Sequence, residues 1–302
     1  MASSFTEHRA RAAGGRPWPR TARTLERAFL YVAAIAVAVA IMAPFLWLVI
    51  SSVASGADLL ARPLRWLPTH ASFDRYVKIF TSMQPGESAF TFRHALVNSL
   101  KVAAGSVGIS MAVGVFAAYA FARLRFVGRN ALALLFLTTY MLPPIALVIP
   151  LYLIMGHLHL RDTVSGLVLI YCSFITPYVI WIMKGYFEAI PVELEEAAMV
   201  DGASRIGSLF RVILPLSAPG LVTTFIFSLL LAWDEFLYAL IMTSSVNAKT
   251  IPVAIAEFSG AHMIDYGMMA AGGVLAALPP VLITLILQKQ IISGLTAGAV
   301  KG

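Results

Sequence analysis

Long apolar runs separated by short polar links dominate the sequence from about residue 28 onward. A membrane-spanning helix needs about 20 predominantly apolar residues, because it must cross roughly 30 Å of hydrocarbon and lipid offers the backbone no hydrogen-bond partner. Six stretches meet this requirement. They run approximately over Ala28–Val53, Ala95–Phe121, Ala131–Met155, Val164–Met183, Gly220–Met242 and Met268–Ile292. The pattern therefore predicts an all-α, polytopic membrane bundle of six transmembrane helices.

Composition and charge placement support this prediction. The 302 residues are 59% hydrophobic, against about 45–50% in soluble domains. The formal charge is +7, and basic residues concentrate before the first span and in the link after the second, which contains Arg123, Arg125 and Arg129. The positive-inside rule places both segments in the cytoplasm, so six spans put the N- and C-termini there as well. The surplus charge orients the protein, and nothing in it indicates nucleic-acid binding.

The segments outside the spans differ in character. Residues 1–27 are rich in Arg, Ala, Gly and Pro and form a predicted cytoplasmic basic tail, since they cannot build a packed core. The outer segment Ala54–His94 is long enough to fold over the membrane face, either as a cap on the lipid surface or as a docking site for an external partner. The single cysteine, Cys172, lies in the fourth span, which excludes an intrachain disulfide.

One polar segment, residues 184–217, interrupts the apolar pattern between spans four and five. Pro191 suits a first helical position, and Glu193, Glu195 and Glu196 suit the first turn, where the helix dipole favours negative charge. Asp201 and Gly202 predict the end of this helix, because glycine adopts the left-handed conformation of a C-cap. An acidic helix of this kind fits a soluble protein better than a lipid surface, which favours Lys and Arg.

A second short helix is predicted from about Ser204 to Ile213. Its apolar residues recur at spacings of three and four, which gives it one apolar face. These residues are Ile206, Leu209, Phe210 and Ile213. Pro215 and Pro219 are expected to end this helix before the fifth span begins.

Several stretches resemble a known family. Glu196-Ala197-Ala198, Gly202 and Leu214-Pro215 resemble the EAA loop of binding-protein-dependent ABC importer permeases, with Val212 where the family has isoleucine. Four further stretches resemble the maltose-type second permease of carbohydrate importers: "YAFARLRFVGR" from 119, "MLPPIALVIPLYLI" from 141, "AWDEFLYALIM" from 232 and "GLTAGAVKG" from 294. The resemblance covers nearly everything after residue 28, and it assigns residues 28–302 to one transmembrane domain.

The resemblance implies a non-catalytic subunit of a bacterial inner-membrane transporter. In that family the EAA loop enters a cleft of an ATP-binding subunit, which makes the segment between spans four and five a coupling helix. The coupling residues implied here are Glu195, Glu196, Ala197, Ala198, Asp201, Gly202, Leu214 and Pro215. The implied partners are a second permease, two ATP-binding subunits and an extracytoplasmic sugar-binding protein. Since the chain has no P-loop motif, ATP and Mg would be bound by the partner ATPase.

Ionisable residues within a span usually face a cavity or a partner, because burying them in lipid is costly. Asp234 and Glu235 lie in the fifth span between Trp233 and Tyr238, where carboxylates and aromatic faces could contact a sugar. Glu235 could instead join helices by pairing with Lys101. Asn98 and Tyr140 complete the candidate substrate path, although polar groups inside a bundle can also bond across helices.

Other functions stay open at this level. Lys101 is the only basic residue well inside a predicted span, which favours a neutral sugar over glycerol phosphate, while a polyol or another small solute remains an alternative. An intramembrane enzyme would need a catalytic pair or a metal site, and neither H-E-x-x-H nor G-x-S-x-G occurs. A sensory scaffold would not need the EAA loop with its turn at Gly202.

Overall fold

The structure is a computed structural model that describes the backbone of residues 20–258 and 265–299 and the side chains of residues 27–258 and 265–289. All regular elements in these ranges are helical. The chain divides into two units, residues 1–50 and 51–302. Helix α1, Arg20–Val53, begins inside the predicted tail, and its side chains are mostly exposed, as expected for a helix surrounded by lipid. The rest of the tail lies outside the described residues.

The outer segment folds into a small lobe containing α2, Gly56–Leu59, and α3, Asp74–Thr81. Its centre is the buried carboxylate of Asp58. This carboxylate accepts hydrogen bonds from Ser55 Oγ at 2.8 Å, Arg65 Nη1 at 3.1 Å and Thr69 Oγ1 at 2.9 Å. The bond from Ser55, followed by those from Thr69 and Arg65, outweighs the effect of burial and lowers the pKa of Asp58 to about 2. The predicted roles of this segment, a cap on the lipid surface or a docking site for an external partner, stay predictions.

Two long helices form the centre of the second unit. They are α4, Ser88–Arg123, and α7, Val164–Ala189, and they pack along each other. Small residues allow the two backbones to approach closely, as is common between membrane helices. A Cβ added at Gly114 would lie 2.5 Å from Val179 Cγ1, so no side chain fits there without movement of α7.

The third predicted span is broken. It consists of α5, Arg129–Met141, and α6, Pro144–His157, which meet at an angle of 97°. The cause is local, because Pro143 and Pro144 supply no backbone donor and disfavour helical geometry in the residue before each of them. The described residues contain four helices that are long and apolar enough to cross a membrane, or up to six spans if each bent pair counts as one.

The polar segment forms α8, Val192–Val200, and α9, Arg205–Ser208, followed by a π-helical turn, Leu209–Ile213. The predicted single apolar face is wrong: Leu209 and Ile213 are fully buried, whereas Ile206 and Phe210 are exposed. A π turn has more residues per turn than an α-helix, so the sequence spacing assigns its faces incorrectly.

This helix passes through Pro215 but ends one residue later, before the fifth predicted span, as expected. Its last part, α10, Leu214–Leu216, meets α11, Ala218–Trp233, at 80°.

The fifth predicted span is not continuous either. Helix α11 ends at Trp233, and a separate helix α12, Leu237–Met242, follows. The Glu235 side chain accepts hydrogen bonds from the backbone N–H groups of Tyr238 and Ala239 at 2.8 and 3.1 Å, which starts the new helix. Helices α13, Ile251–Glu257, and α14, Tyr266–Ala299, complete the described chain.

Candidate coupling segment and transport cavity

Helix α8 begins as the acidic pattern indicates. Pro191, predicted at the first helical position, is instead the residue before the helix, and Glu193 and Glu195 lie in the first turn, where the helix dipole favours carboxylates. Glu196, also predicted in the first turn, follows in the next one. Glu193 and Glu196 are exposed, whereas Glu195 is buried. The acidic residues therefore divide into an outward-facing pair and one inward-facing side chain.

Gly202 forms the turn that ends α8. Its φ is +91°, in the left-handed region that side-chain-bearing residues avoid. The backbone N–H of Gly202 donates to Met199 O at 3.1 Å, and that of Ala203 donates to Ala198 O at 2.9 Å. This pair of bonds is a Schellman cap, which satisfies two carbonyl groups at the helix end and reverses the chain direction. The elbow predicted at Gly202 is thus present, and Ser204 Oγ starts α9 by accepting from the Gly207 N–H at 3.1 Å.

The remaining predicted coupling residues lie mostly at the surface of this segment. Ala198 and Leu214 are half-buried. The exposed residues are Glu196, Ala197, Asp201, Gly202 and Pro215. Val200, on the same helix, is 87% exposed. The segment thus presents carboxylates, small residues and an apolar side chain together.

Two residues of α4 hold the segment from the inside. Tyr119 Oη donates a hydrogen bond to Glu195 Oε1, and Arg123 Nε lies 3.0 Å from Glu195 Oε2. The Arg123 and Glu195 side chains are only 6% and 4% exposed. Tyr119 and Arg123 were absent from the predicted site, although their spacing of four residues in "YAFARLRFVGR" places them on one face of a helix end.

A cavity of about 700 Å³ lies between α5, α6, α7 and the break that follows α11. This volume falls within the roughly 300–1,000 Å³ of small-molecule sites. Tyr140, Glu235 and Tyr238 of the predicted substrate path line it, together with Thr139 and Thr176. Most of its wall is apolar, and the described residues lining it include no Lys, Arg or His.

Aromatic rings form part of this cavity wall. Tyr140, Phe174 and Tyr238 line it. Phe174 stacks on Tyr238 with ring centroids 6.1 Å apart and an interplanar angle of 15°, and Tyr140 lies 6.1 Å from the ring of Tyr178 behind it. Glu235 also contributes, but its carboxylate is occupied: Tyr171 Oη donates to it at 2.7 Å, in addition to the two backbone N–H groups of α12. It forms no ion pair with Lys101, whose side chain is exposed, so that predicted pairing is wrong.

The other candidate path residues lie elsewhere. Asn98 is buried, and its amide donates to the carbonyl groups of Val246 and Lys249 at 2.9 and 3.1 Å, which joins α4 to the loop after α12. Trp233 donates its indole N–H to Ala276 O at 3.0 Å. Trp233 and Asp234 line a second cavity of about 440 Å³. The predicted path is therefore distributed over two cavities and one structural contact.

Comparisons with known proteins agree with this architecture. Residues 110–296 match the family model "Binding-protein-dependent transport system inner membrane component". The chain is 36% identical to the trehalose/maltose transport system permease protein MalG of Thermococcus litoralis, over 92% of this chain and 98% of that protein. It is 39% identical to the trehalose transport system permease protein SugB of Mycobacterium tuberculosis, over 86% of this chain and 92% of that protein.

A solved structure shares the fold. It is a bacterial ABC transporter involved in the import of the acidic polysaccharide alginate, with a TM-score of 0.73 and 22% sequence identity over 91% of this chain and 99% of that one. Together with the family match and the relatives, this similarity makes the protein a multi-pass transport subunit. The chain belongs to the family of binding-protein-dependent transport system inner membrane components.

Proposed function

We propose that this chain is one of two different permeases in an ABC importer that moves an uncharged sugar or oligosaccharide into the cytoplasm. The other permease, two ATP-binding subunits and an extracytoplasmic sugar-binding protein complete the complex. The chain itself catalyses no reaction, and the ATP-binding subunits hold ATP and Mg. Their closure and opening switch the permease pair between outward-facing and inward-facing states.

The exposed face of α8 is the observation that carries this proposal. A helix resting on lipid would present basic side chains, but α8 presents Glu193 and Glu196 beside the exposed Val200. An apolar side chain surrounded by polar ones at an exposed helix end is a composition suited to a protein interface. The Gly202 cap holds this face at a fixed angle to the following helix, which suits a segment that transmits force.

The same end of the bundle carries the basic link between α4 and α5. Arg129 Nη2 lies 3.4 Å from Glu188 Oε1 at the end of α7, and Lys184 Nζ lies 2.9 Å from the same oxygen. Because basic links of membrane proteins lie in the cytoplasm, this contact supports a cytoplasmic position for α8. The N- and C-termini then lie on that side, in a bacterial inner membrane.

The charge of the cavity supports an uncharged substrate. Phosphate and carboxylate groups are recognised by Arg and Lys, and the described wall of the 700 Å³ cavity has neither. The hydroxyls of Thr139, Thr176 and Tyr238 already donate to other groups of the protein, but each can still accept a hydrogen bond from a sugar hydroxyl. The aromatic faces can cover the apolar C–H surface of a sugar ring. Since Glu235 is already bonded three times, we assign it to the wall and regard Tyr140 and Tyr238 as the contacts. Asp234 remains a candidate from the second cavity.

Co-purification and transport together test the proposal. An affinity-tagged chain extracted in mild detergent should bring an ATP-binding subunit and a second permease with it. In proteoliposomes, the complex should import neutral oligosaccharides only when ATP and the matching binding protein are present. Uronate oligosaccharides and glycerol phosphate serve as anionic competitors and should have no effect. Isolation of the chain without an ATPase would contradict the proposal. Transport of the anionic compounds but not of the neutral oligosaccharides would also contradict it.

A further inference from the structure

The contact between α4 and α8 is built from charges that are costly to bury. An ion pair removed from water loses its hydration, and it persists only with good geometry and further hydrogen bonds. Here Arg123 Nε and Glu195 Oε2 are almost fully buried and 3.0 Å apart, without the geometry of a hydrogen bond, and the carboxylate accepts its hydrogen bond from Tyr119. An apolar cluster would hold two helices together at least as well, so the arrangement indicates a fixed register between these two helices.

The contact extends to both sides of α8. Arg123 Nη2 donates to the carbonyl oxygen of Ile190 at 2.8 Å, immediately before α8, and Tyr119 Oη donates to that of Arg205 at 3.3 Å, at the start of α9. Two side chains on one turn of α4 therefore bind the entry, the middle and the exit of the coupling segment. These contacts oppose rotation or sliding of the segment along α4.

Neighbouring glutamates on α8 have different surroundings. Successive residues on an α-helix point about 100° apart, and here Glu195 points to α4 while Glu196 is exposed. An exposed carboxylate is available to a partner subunit, whereas a buried one is not. The geometry thus gives the two glutamates different surroundings for different roles: Glu196 is available to a partner subunit, and Glu195 connects α8 to α4.

We propose that Tyr119 and Arg123 are positioning residues that lock α8 to α4 through Glu195, so that movement of the coupling helix displaces α4 and the bundle packed on it. This inference rests on the proposed function, because it assumes that an ATP-binding subunit moves α8. Without the lock, α8 would still bind its partner, but part of the movement would be lost in rotation of α8 against α4.

The test compares uptake with ATP hydrolysis in the same proteoliposomes. Glu195→Gln keeps the shape of the side chain and removes its charge. We expect the complex to assemble and hydrolyse ATP while sugar imported per ATP falls by about tenfold, within the 5- to 150-fold range of coupling between sites. Glu188→Gln is the matched control, since it removes two ion pairs, with Arg129 and Lys184, at the same end of the bundle, and the Glu188 side chain is 41% exposed. It should keep the wild-type ratio.

Three further experiments separate the lock from a general loss of folding. Arg123→Glu combined with Glu195→Arg should recover a large part of the ratio that Arg123→Glu alone loses. Hydrogen–deuterium exchange on the whole complex should be about tenfold faster over residues 192–200 in Glu195→Gln and unchanged over residues 164–183. Tyr119→Phe retains the ion pair and should give an intermediate ratio.

Each outcome bears on one of the two proposals. A wild-type complex that contains no ATPase, or imports no sugar, overturns the proposed function, while the exchange measurement still reports on the lock. Wild-type coupling in Glu195→Gln, or unchanged exchange over residues 192–200, overturns the lock. If Glu195→Gln does not accumulate, Tyr119→Phe replaces it, and a wild-type ratio together with wild-type exchange in that variant overturns the inference.

Discussion

Replacement of Gly202 should uncouple transport without removing the protein from the membrane. Gly202 has a φ of +91°, and a Cβ placed there would meet no atom within 4 Å. Any penalty from Gly202→Ala is therefore conformational and not steric. A side-chain-bearing residue in the left-handed region costs about 1–2 kcal/mol, and a β-branched residue such as valine costs more.

This penalty changes the populations of the closed and the opened helix cap. A cost of about 1–2 kcal/mol shifts the equilibrium between the closed and opened cap by roughly 5- to 30-fold. Opening breaks the two hydrogen bonds of the cap and releases the angle between α8 and α9. Uptake should therefore fall in the order Gly, Asn, Ala, Val at position 202, because asparagine tolerates left-handed geometry better than alanine.

The assay is sugar uptake per ATP hydrolysed, measured at matched amounts of membrane-inserted complex. Gly128→Ala is the control, since Gly128 has a φ of +82° and equally open surroundings but lies in the link before α5. It should strain its own turn and leave coupling largely intact. Wild-type uptake per ATP in both Gly202→Ala and Gly202→Val would refute the argument, and so would equal losses in Gly128→Ala and Gly202→Ala.

Three other predictions address packing, pH and substrate. Gly114→Ala should lower stability by about 1–3 kcal/mol through overpacking against Val179, which a lower thermal midpoint in detergent would show. Gly108→Ala should leave the midpoint unchanged, because a Cβ at Gly108 would meet no atom within 4 Å. Asp58, with a pKa of about 2, stabilises the outer lobe above about pH 4, and this stabilisation should disappear between about pH 4 and 2. Pepsin cleavage of the lobe should therefore rise as the pH falls through that window. In Asp58→Asn the rise should be much less steep. Tyr140→Ala should raise the half-saturating sugar concentration about fivefold, the value of one aromatic contact, with basal ATP hydrolysis unchanged.

Local chemistry explains what the sequence could predict. The spans follow from runs of apolar residues, and the elbow follows from a glycine placed after an acidic helix, since both signals depend on neighbours in the chain. Pro143 and Pro144 give a local cause for the break between α5 and α6, although the apolar run across them predicted one continuous span. These signals depend on residues that are adjacent in the sequence and not on distant contacts, so they can be recognised from residue order alone.

Long-range contacts explain what the sequence could not predict. Hydropathy cannot detect that Glu235 starts a new helix, because this depends on a carboxylate folding back onto backbone donors and on Tyr171 from another helix. The burial of Glu195 beside the exposed Glu196 depends on which helix lies opposite α8. Asn98 has an amide that suits a substrate contact, but this amide donates to the carbonyl groups of Val246 and Lys249 on a distant loop. Apart from the local bonds from Tyr238 and Ala239 to Glu235, the deciding neighbours are distant in sequence.

The right-angled junction between α5 and α6 has a mechanical consequence. A straight helix displaced at one end moves along its own axis, and its middle moves no further than that end. In two helices joined at 97°, the same displacement of the first helix rotates the second helix about the junction. Because Leu142 and Pro144, on either side of that corner, line the larger cavity, we expect a small displacement near Arg129 to change the width of the cavity and not its depth.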